Sequence, residues 1–134
     1  METIKIGIVD DHKLVSKALE NLISFNVNFR VTMNCFNGQD FMDQLRTTTD
    51  HPDVVLMDIN MPIKNGIEAT QEVSKEFPNI KVIALTMEDN ETTIIRMLKA
   101  GAKGYLLKDM SPAILFDAID IVHKQRTFYT DLLT

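Results

Sequence analysis

A disulfide framework is impossible in this chain, because Cys35 is its one cysteine. A solitary thiol points to a reducing, cytosolic setting. Long hydrophobic runs are missing too: no apolar stretch approaches the roughly 20 residues that a membrane span requires. The opening Met1-Glu2-Thr3-Ile4-Lys5 has neither the basic start nor the long apolar stretch of a signal peptide. A cytoplasmic protein without membrane contact is therefore expected. Positive charge is scarce as well. Fourteen Lys and Arg face 19 Asp and Glu, for a formal net charge of -5. Gripping nucleic acid rests on neutralising phosphates with Lys and Arg, so the chain is not expected to hold DNA by itself. Repeats, low-complexity stretches and internal linkers are absent, and none of the three histidines has metal-ligand spacing to another.

What is present suits one soluble domain. At 134 residues, 45% apolar and 25% charged, the chain is long enough to bury a proper core. Four apolar runs each end on a polar residue with reactive chemistry. Ile4 to Val9 leads into Asp10-Asp11, Val54 to Met57 into Asp58, Val82 to Leu85 into Thr86, and Tyr105 to Leu107 into Lys108. Short runs rich in β-branched residues read as strands buried on both faces of a parallel sheet. Phe29 to Phe36 is a further strand.

Between the strands lie segments with helical spacing. Leu14, Val15, Ala18, Leu19, Leu22 and Ile23 form the expected apolar stripe of a helix from about 12 to 25. Phe41, Met42 and Leu45 mark a short helix over Gly38 to Arg46. Ile67, Thr70, Val73 and Phe77 line another, starting near Asn65-Gly66 and stopping before Pro78. Ile94, Ile95 and Leu98 mark a fourth, ended near Gly101. Ser111-Pro112 opens a fifth, with Ser as N-cap and Pro at the first helical position; its stripe is Ile114, Leu115, Ala118, Ile119 and Val122. Five β-α alternations with short connections imply a five-stranded parallel sheet with helices on both faces. Right-handed crossovers leave few topologies, of which strand order 2-1-3-4-5 is favoured. Ligands of such a sheet sit outside the carboxyl ends of its strands, where all four polar endings would meet.

Three carboxylates crowded there repel one another unless a cation joins them. Mg²⁺, which takes hard oxygen ligands and keeps several waters, suits Asp10, Asp11 and Asp58. Asp10 and Asp11 would also suit the positive end of the following helix as caps, and for Asp11 alone the two explanations are evenly matched. Asp58, at the tip of a very apolar strand, can serve as a nucleophile toward phosphorus and form an aspartyl phosphate. Phosphoryl transfer asks a protein mainly for positioning and charge neutralisation. Lys108 can pair with a phosphoryl oxygen as a point charge, Thr86 can donate its hydroxyl to another, and the backbone carbonyl of Asn60 can face the metal. Singly, Thr86 reads as an ordinary strand end and Lys108 as a solvated tip. Cys35 reads as a small packed hydrophobe, the methionines mostly as core filler, and His12, His51 and His123 as surface positions. Tyr105 can point into the core or outward.

The chain resembles a receiver domain of bacterial two-component response regulators over residues 3 to 124. The resemblance is carried by Val9-Asp10-Asp11-His12, Leu56-Met57-Asp58-Ile59-Asn60-Met61-Pro62 with Asn65-Gly66, Ala84-Leu85-Thr86, and Gly101-Ala102-Lys103-Gly104-Tyr105-Leu106-Leu107-Lys108. Gly-Tyr-Leu-Leu-Lys-Asp together with Leu-Thr-Met is similar to the NarL/FixJ group, whose receivers precede a LuxR-type helix-turn-helix. The resemblance implies a flavodoxin-like receiver fold and a phosphorylation-activated switch. Asp58 would accept phosphate from a sensor histidine kinase, Asp10 and Asp11 would hold Mg²⁺ with Asp58 and the Asn60 carbonyl, and Lys108 would contact the phosphoryl group. Thr86 and Tyr105 would be the switch pair. A phosphorylation-dependent homodimer is the expected partner state, and DNA would be reached through an effector domain outside this chain. Residues 1–124 would be the phosphoacceptor domain, and 125–134 the start of a tether or a frayed tail. Two departures from the family pattern carry expectations. Asp109 stands where many receivers have Pro, which argues against a cis bond there. Met87 stands where many carry a small residue and would shade the phosphoryl group.

The alternative is a Mg²⁺-dependent phosphohydrolase with an aspartyl nucleophile. Haloacid-dehalogenase-like enzymes place D-x-D after their first strand, whereas this strand ends in Asp10-Asp11-His12. A flavodoxin would need a Ser/Thr/Gly-rich phosphate loop there, where two carboxylates would repel phosphate. The chain is accordingly expected to be a signalling domain rather than an enzyme.

Overall fold

The structure, a computed structural model, describes residues 3–87 and 90–124. Strands and helices alternate from the first to the last element: β1 (Ile4–Val9), α1 (Lys13–Ser24), β2 (Phe29–Cys35), α2 (Gly38–Thr47), β3 (Val54–Asp58), α3 (Gly66–Glu76), β4 (Lys81–Thr86), α4 (Glu91–Ala100), β5 (Gly104–Leu107) and α5 (Pro112–His123). The five strands pair in parallel in the order β2-β1-β3-β4-β5. The sequence reading anticipated this order. Its register sets Val9 beside Met57, Asp58 beside Leu85 and Thr86 beside Leu107, so the polar strand ends lie side by side.

Local chemistry fixes where the helices begin. Asn37, Asn65, Asn90 and Ser111 are N-caps whose side chains accept a backbone N–H one turn on, relieving donors with no partner inside the helix. Asn65 and Glu68 complete a reciprocal capping box, which anchors α3 directly behind the β3 loop. α4 stops at Gly101, whose φ of +123° disfavours a side chain. Gly66 is demanded by proximity: a Cβ there would overlap the carbonyl oxygen of Asp58.

The sheet divides the core in two. On one side, Ile6, Ile8, Leu56, Ile83, Leu85 and Leu106 pack against α1 and α5. On the other, Val9, Met57, Ala84 and Tyr105 pack against α2, α3 and α4. Several expected stripe positions are corrected. Leu14 is 87% exposed and Ala18 is exposed too, while Ser16 is buried in their stead. The Ser16 hydroxyl donates to Asn34 Oδ1 at 2.7 Å, which satisfies its polar atom beneath the helix. On α4, Ile95 faces outward and Met97 is buried; on α5, Ile114 is exposed. His51 is not a surface residue: its Nε2 lies 2.8 Å from the Leu45 carbonyl and its ring packs edge-on against Phe77. His123 is half-buried. The tail 125–134 lies outside the described residues. No described helix is long and apolar enough to cross a membrane.

Candidate functional site

β1 delivers Asp10, and the chain then turns so that Asp10 Oδ1 accepts the His12 backbone N–H at 2.8 Å. Asp10 itself donates its N–H to Cys35 O at 3.0 Å, which ties it to the end of β2. Helix α1 begins with His12 as N-cap and no side-chain cap, so Asp11 does not cap it. β3 delivers Asp58, whose Oδ1 accepts the Ile59 N–H at 2.9 Å. β5 delivers Lys108, whose N–H donates to Thr86 O at 2.8 Å and prolongs the β4–β5 pairing past the strand.

The side chains converge. Lys108 Nζ lies 2.9 Å from Asp10 Oδ2 and 3.2 Å from Asp58 Oδ1. Far from being a solvated tip, the Lys108 side chain is only 4% exposed. Asp10 is fully buried and Asp58 nearly so. Burial and the neighbouring Asp10 charge push the Asp58 carboxyl up to about 6, against the opposing pull of Lys108. Asp58 thus resists carrying a second negative charge beside Asp10. The Cys35 thiol is also pushed up, to about 12, by burial and by the Asp40 charge, which leaves it inert as a packed hydrophobe.

The carboxylates have room for a cation. Asp11 Oδ1 and Asp58 Oδ2 are shielded from solvent and have no hydrogen-bond partner. Ligand atoms of Asp10, Asp11, His12 and Asp58 all lie within 4.8 Å of one another. Buried oxygens without donors, gathered at this spacing, fit a divalent ion that takes hard oxygen ligands.

Beside the acidic cluster opens a cleft of about 210 Å³ lined by Asp58, Asn60, Thr86, Met87 and Lys108, with Asn90 and Thr93 of the α4 start on its far wall. The structure therefore brings Asp10, Asp58 and Lys108 into direct contact with Asp11 close by, and sets Thr86 and Asn60 along the same opening. Met87 lines the mouth but is 71% exposed. Tyr105 stands apart from the cleft, its ring wholly buried on the α2–α4 side of the sheet. No cis peptide bond occurs among the described residues, in keeping with Asp109 after Lys108.

Sequence reasoning passed over His12 as a site residue, although its Nδ1 lies 3.2 Å from Asp10 Oδ1 and 3.5 Å from Asp11 Oδ1. The adjacency Asp10-Asp11-His12 was the available signal. Asn90 and Thr93 were passed over too; their signal was a helix-capping Asn just past the Thr86 strand end.

Residues 6–120 match the family model of the response regulator receiver domain. The chain is 37% identical over 119 residues to the transcriptional regulatory protein DegU of Brevibacillus brevis, a match covering 89% of this chain and 50% of that protein. It is 33% identical over 133 residues to the oxygen regulatory protein NreC of Staphylococcus epidermidis, covering 98% and 60%. The chain thus spans between half and three fifths of the length of these relatives. Among solved structures, a LuxR-family two-component response regulator from Aurantimonas sp. SI85-9A1 superposes with a TM-score of 0.87 at 29% identity, covering 96% of this chain and 90% of that one. These likenesses favour the receiver over the phosphohydrolase alternative. With five parallel strands in flavodoxin-like order and an acidic pocket at their carboxyl edge, the chain belongs to the response regulator receiver domains of two-component signalling systems.

Proposed function

We propose that residues 1–124 act as a phosphorylation-driven switch in which Asp58 accepts a phosphoryl group from the phosphohistidine of a sensor kinase. The observation that carries this reading is Asp58 itself: a nearly buried carboxylate, pressed by Asp10, touched by Lys108, and keeping one oxygen without a partner. An Asp58 oxygen attacks phosphorus as the donor's N–P bond breaks, and the leaving imidazole takes the electron pair and then a proton. Mg²⁺, when bound by Asp10, Asp11, Asp58 and the Asn60 carbonyl, neutralises charge on the carboxylates and on the transferred group. Lys108, already at the nucleophile, meets a phosphoryl oxygen, and the Thr86 hydroxyl donates to another.

One phosphoryl group touches few residues, so its effect is a shift between two conformations of the domain. Thr86 moves toward the phosphoryl oxygens and vacates space that the Tyr105 ring then fills. The output is a phosphorylation-dependent homodimer and, through a DNA-binding effector domain outside this chain, control of transcription in the cytoplasm. The likeness to DegU of Brevibacillus brevis, a transcriptional regulatory protein, supports this output.

Incubation with Mg²⁺ and acetyl phosphate, followed by intact-mass measurement, tests the reading. One labile phosphoryl group is expected on the wild type and none on Asp58→Asn. Stoichiometric labelling of that variant at a comparable rate overturns the assignment, and sustained turnover of phosphate esters would favour a hydrolase.

A further inference from the structure

Histidine at position 12 belongs to the acidic cluster in space as well as in sequence. Its Nδ1 lies 3.2 Å from Asp10 Oδ1, 3.5 Å from Asp11 Oδ1 and 4.0 Å from Asp58 Oδ2. Ligands held about 2.1 Å from one ion stand about 3 to 4 Å apart, so a nitrogen and three oxygens at these spacings suit a single first-row cation. The Asp58 side chain is only 7% exposed, and its Oδ2, the atom nearest this imidazole, has no hydrogen-bond partner. The His12 main chain beneath the ring is fixed, because its backbone N–H donates to Asp10 Oδ1 at 2.8 Å, while the side chain is 61% exposed.

Lys108 Nζ approaches His12 Nδ1 to 3.4 Å. An ammonium can only donate and a carboxylate oxygen can only accept, so Nδ1 faces both a donor, Lys108 Nζ, and a nearer acceptor, Asp10 Oδ1. A bound cation would use the Nδ1 lone pair of the tautomer that carries its proton on Nε2. We propose that His12 Nδ1 is a further ligand of this site, making it a mixed nitrogen–oxygen centre that takes transition-metal ions such as Co²⁺ and Zn²⁺ in preference to Mg²⁺. The proposal rests on the reading of the cluster as a cation site and goes beyond it in the class of ion. Mg²⁺ favours oxygen donors and gains little from an imidazole, whereas affinity for an N/O site climbs along the first-row series. Displacing Lys108 from Asp10 is required of either ion, so that cost cancels in a ratio of affinities.

The test is calorimetric titration of the metal-free 134-residue chain with Mg²⁺ and with Co²⁺, the latter also followed by its visible spectrum. Co²⁺ is expected to bind at least about tenfold more tightly than Mg²⁺, and His12→Ala to reduce that ratio by about tenfold while shifting the bound Co²⁺ spectrum. His12→Gln should behave as His12→Ala does. Asp11→Ala, which removes an oxygen that either ion would use, should weaken both and leave the ratio near its wild-type value. A ratio and spectrum untouched by both His12 variants overturn the proposal. Failure of the wild type to bind either ion overturns the cation site itself, whatever His12 does.

Discussion

The two sides of the sheet are packed with different materials. The side under α1 and α5 buries Ile, Leu and Val with Ala118 and a single aromatic, Phe29, which meets the half-buried Phe116 edge-on. The side under α2, α3 and α4 holds Met33, Met42, Met57 and Met97 together with Cys35, Phe41 and Tyr105. Both sides bury stiff Val and Ile in like measure; what sets the second apart is its added methionine, which is unbranched, polarizable and adapts to irregular space. Strand alternation continues this division into the functional edge. Ile4, Ile6 and Ile8 share a phase with Asp10, Val54 and Leu56 with Asp58, and Leu106 with Lys108. Val82 and Ala84 share theirs with Thr86, on the side where Tyr105 is buried. The charged trio is therefore an extension of the α1–α5 side, and the proposed responding pair belongs to the methionine-rich one. A reaction centre needs fixed geometry and a responding element needs room to repack, and the two sides meet these needs separately.

The largest expected effect breaks the α1–α5 side. Leu56→Ala, two residues before Asp58, should cost about 4–5 kcal/mol in chemical denaturation, while Met42→Ala on the other side should cost about 2–3 kcal/mol. Equal losses would mean that the two sides do not differ in tolerance. A smaller effect comes from the charged extension of the α1–α5 side. Folding holds the Asp58 carboxyl up to about 6, above its ordinary value of 3.8. The native state then keeps a proton that the unfolded chain has released, so metal-free stability should fall as pH rises from about 4 to about 6, by at most about 3 kcal/mol. Asp58→Asn should flatten that slope, and so should Mg²⁺, if thermal melts are followed across the same pH range. The smallest effect lies outside both cores. Ile63, in the loop after β3, is exposed and adopts φ +70°, a region costly to a β-branched residue. Ile63→Gly should raise stability by about 1 kcal/mol in denaturation, with both sides of the sheet unaltered.

The strands and the polar residues at their ends were legible because short apolar runs carry their own endings, and a run stops where burial stops; the sheet order came from the crossover rule together with the family resemblance. Helix starts were legible at Asn65 and Ser111, because capping is a local event between a side chain and a backbone a few atoms away. The rotation of α1 was not. Counting apolar residues set Leu14 and Ala18 inward, whereas the helix turns to pair Ser16 with Asn34, a residue eighteen positions along the chain. The burial of Lys108 was equally hidden, since it depends on two carboxylates supplied by β1 and β3. His12 could be seen beside the acidic pair, but only the turn held by Asp10 aims its ring back over them.

The crowding at Gly66 acts as a mechanical stop. Its N–H donates to Ile59 O at 2.8 Å, and no atom fits between its α-carbon and the Asp58 carbonyl. The tip of β3 is wedged against the capped end of α3 and has no axial play in that direction. A rearrangement of the kind proposed to follow phosphorylation of Asp58 would find no space to close up against α3 and would have to be taken up elsewhere in the sheet.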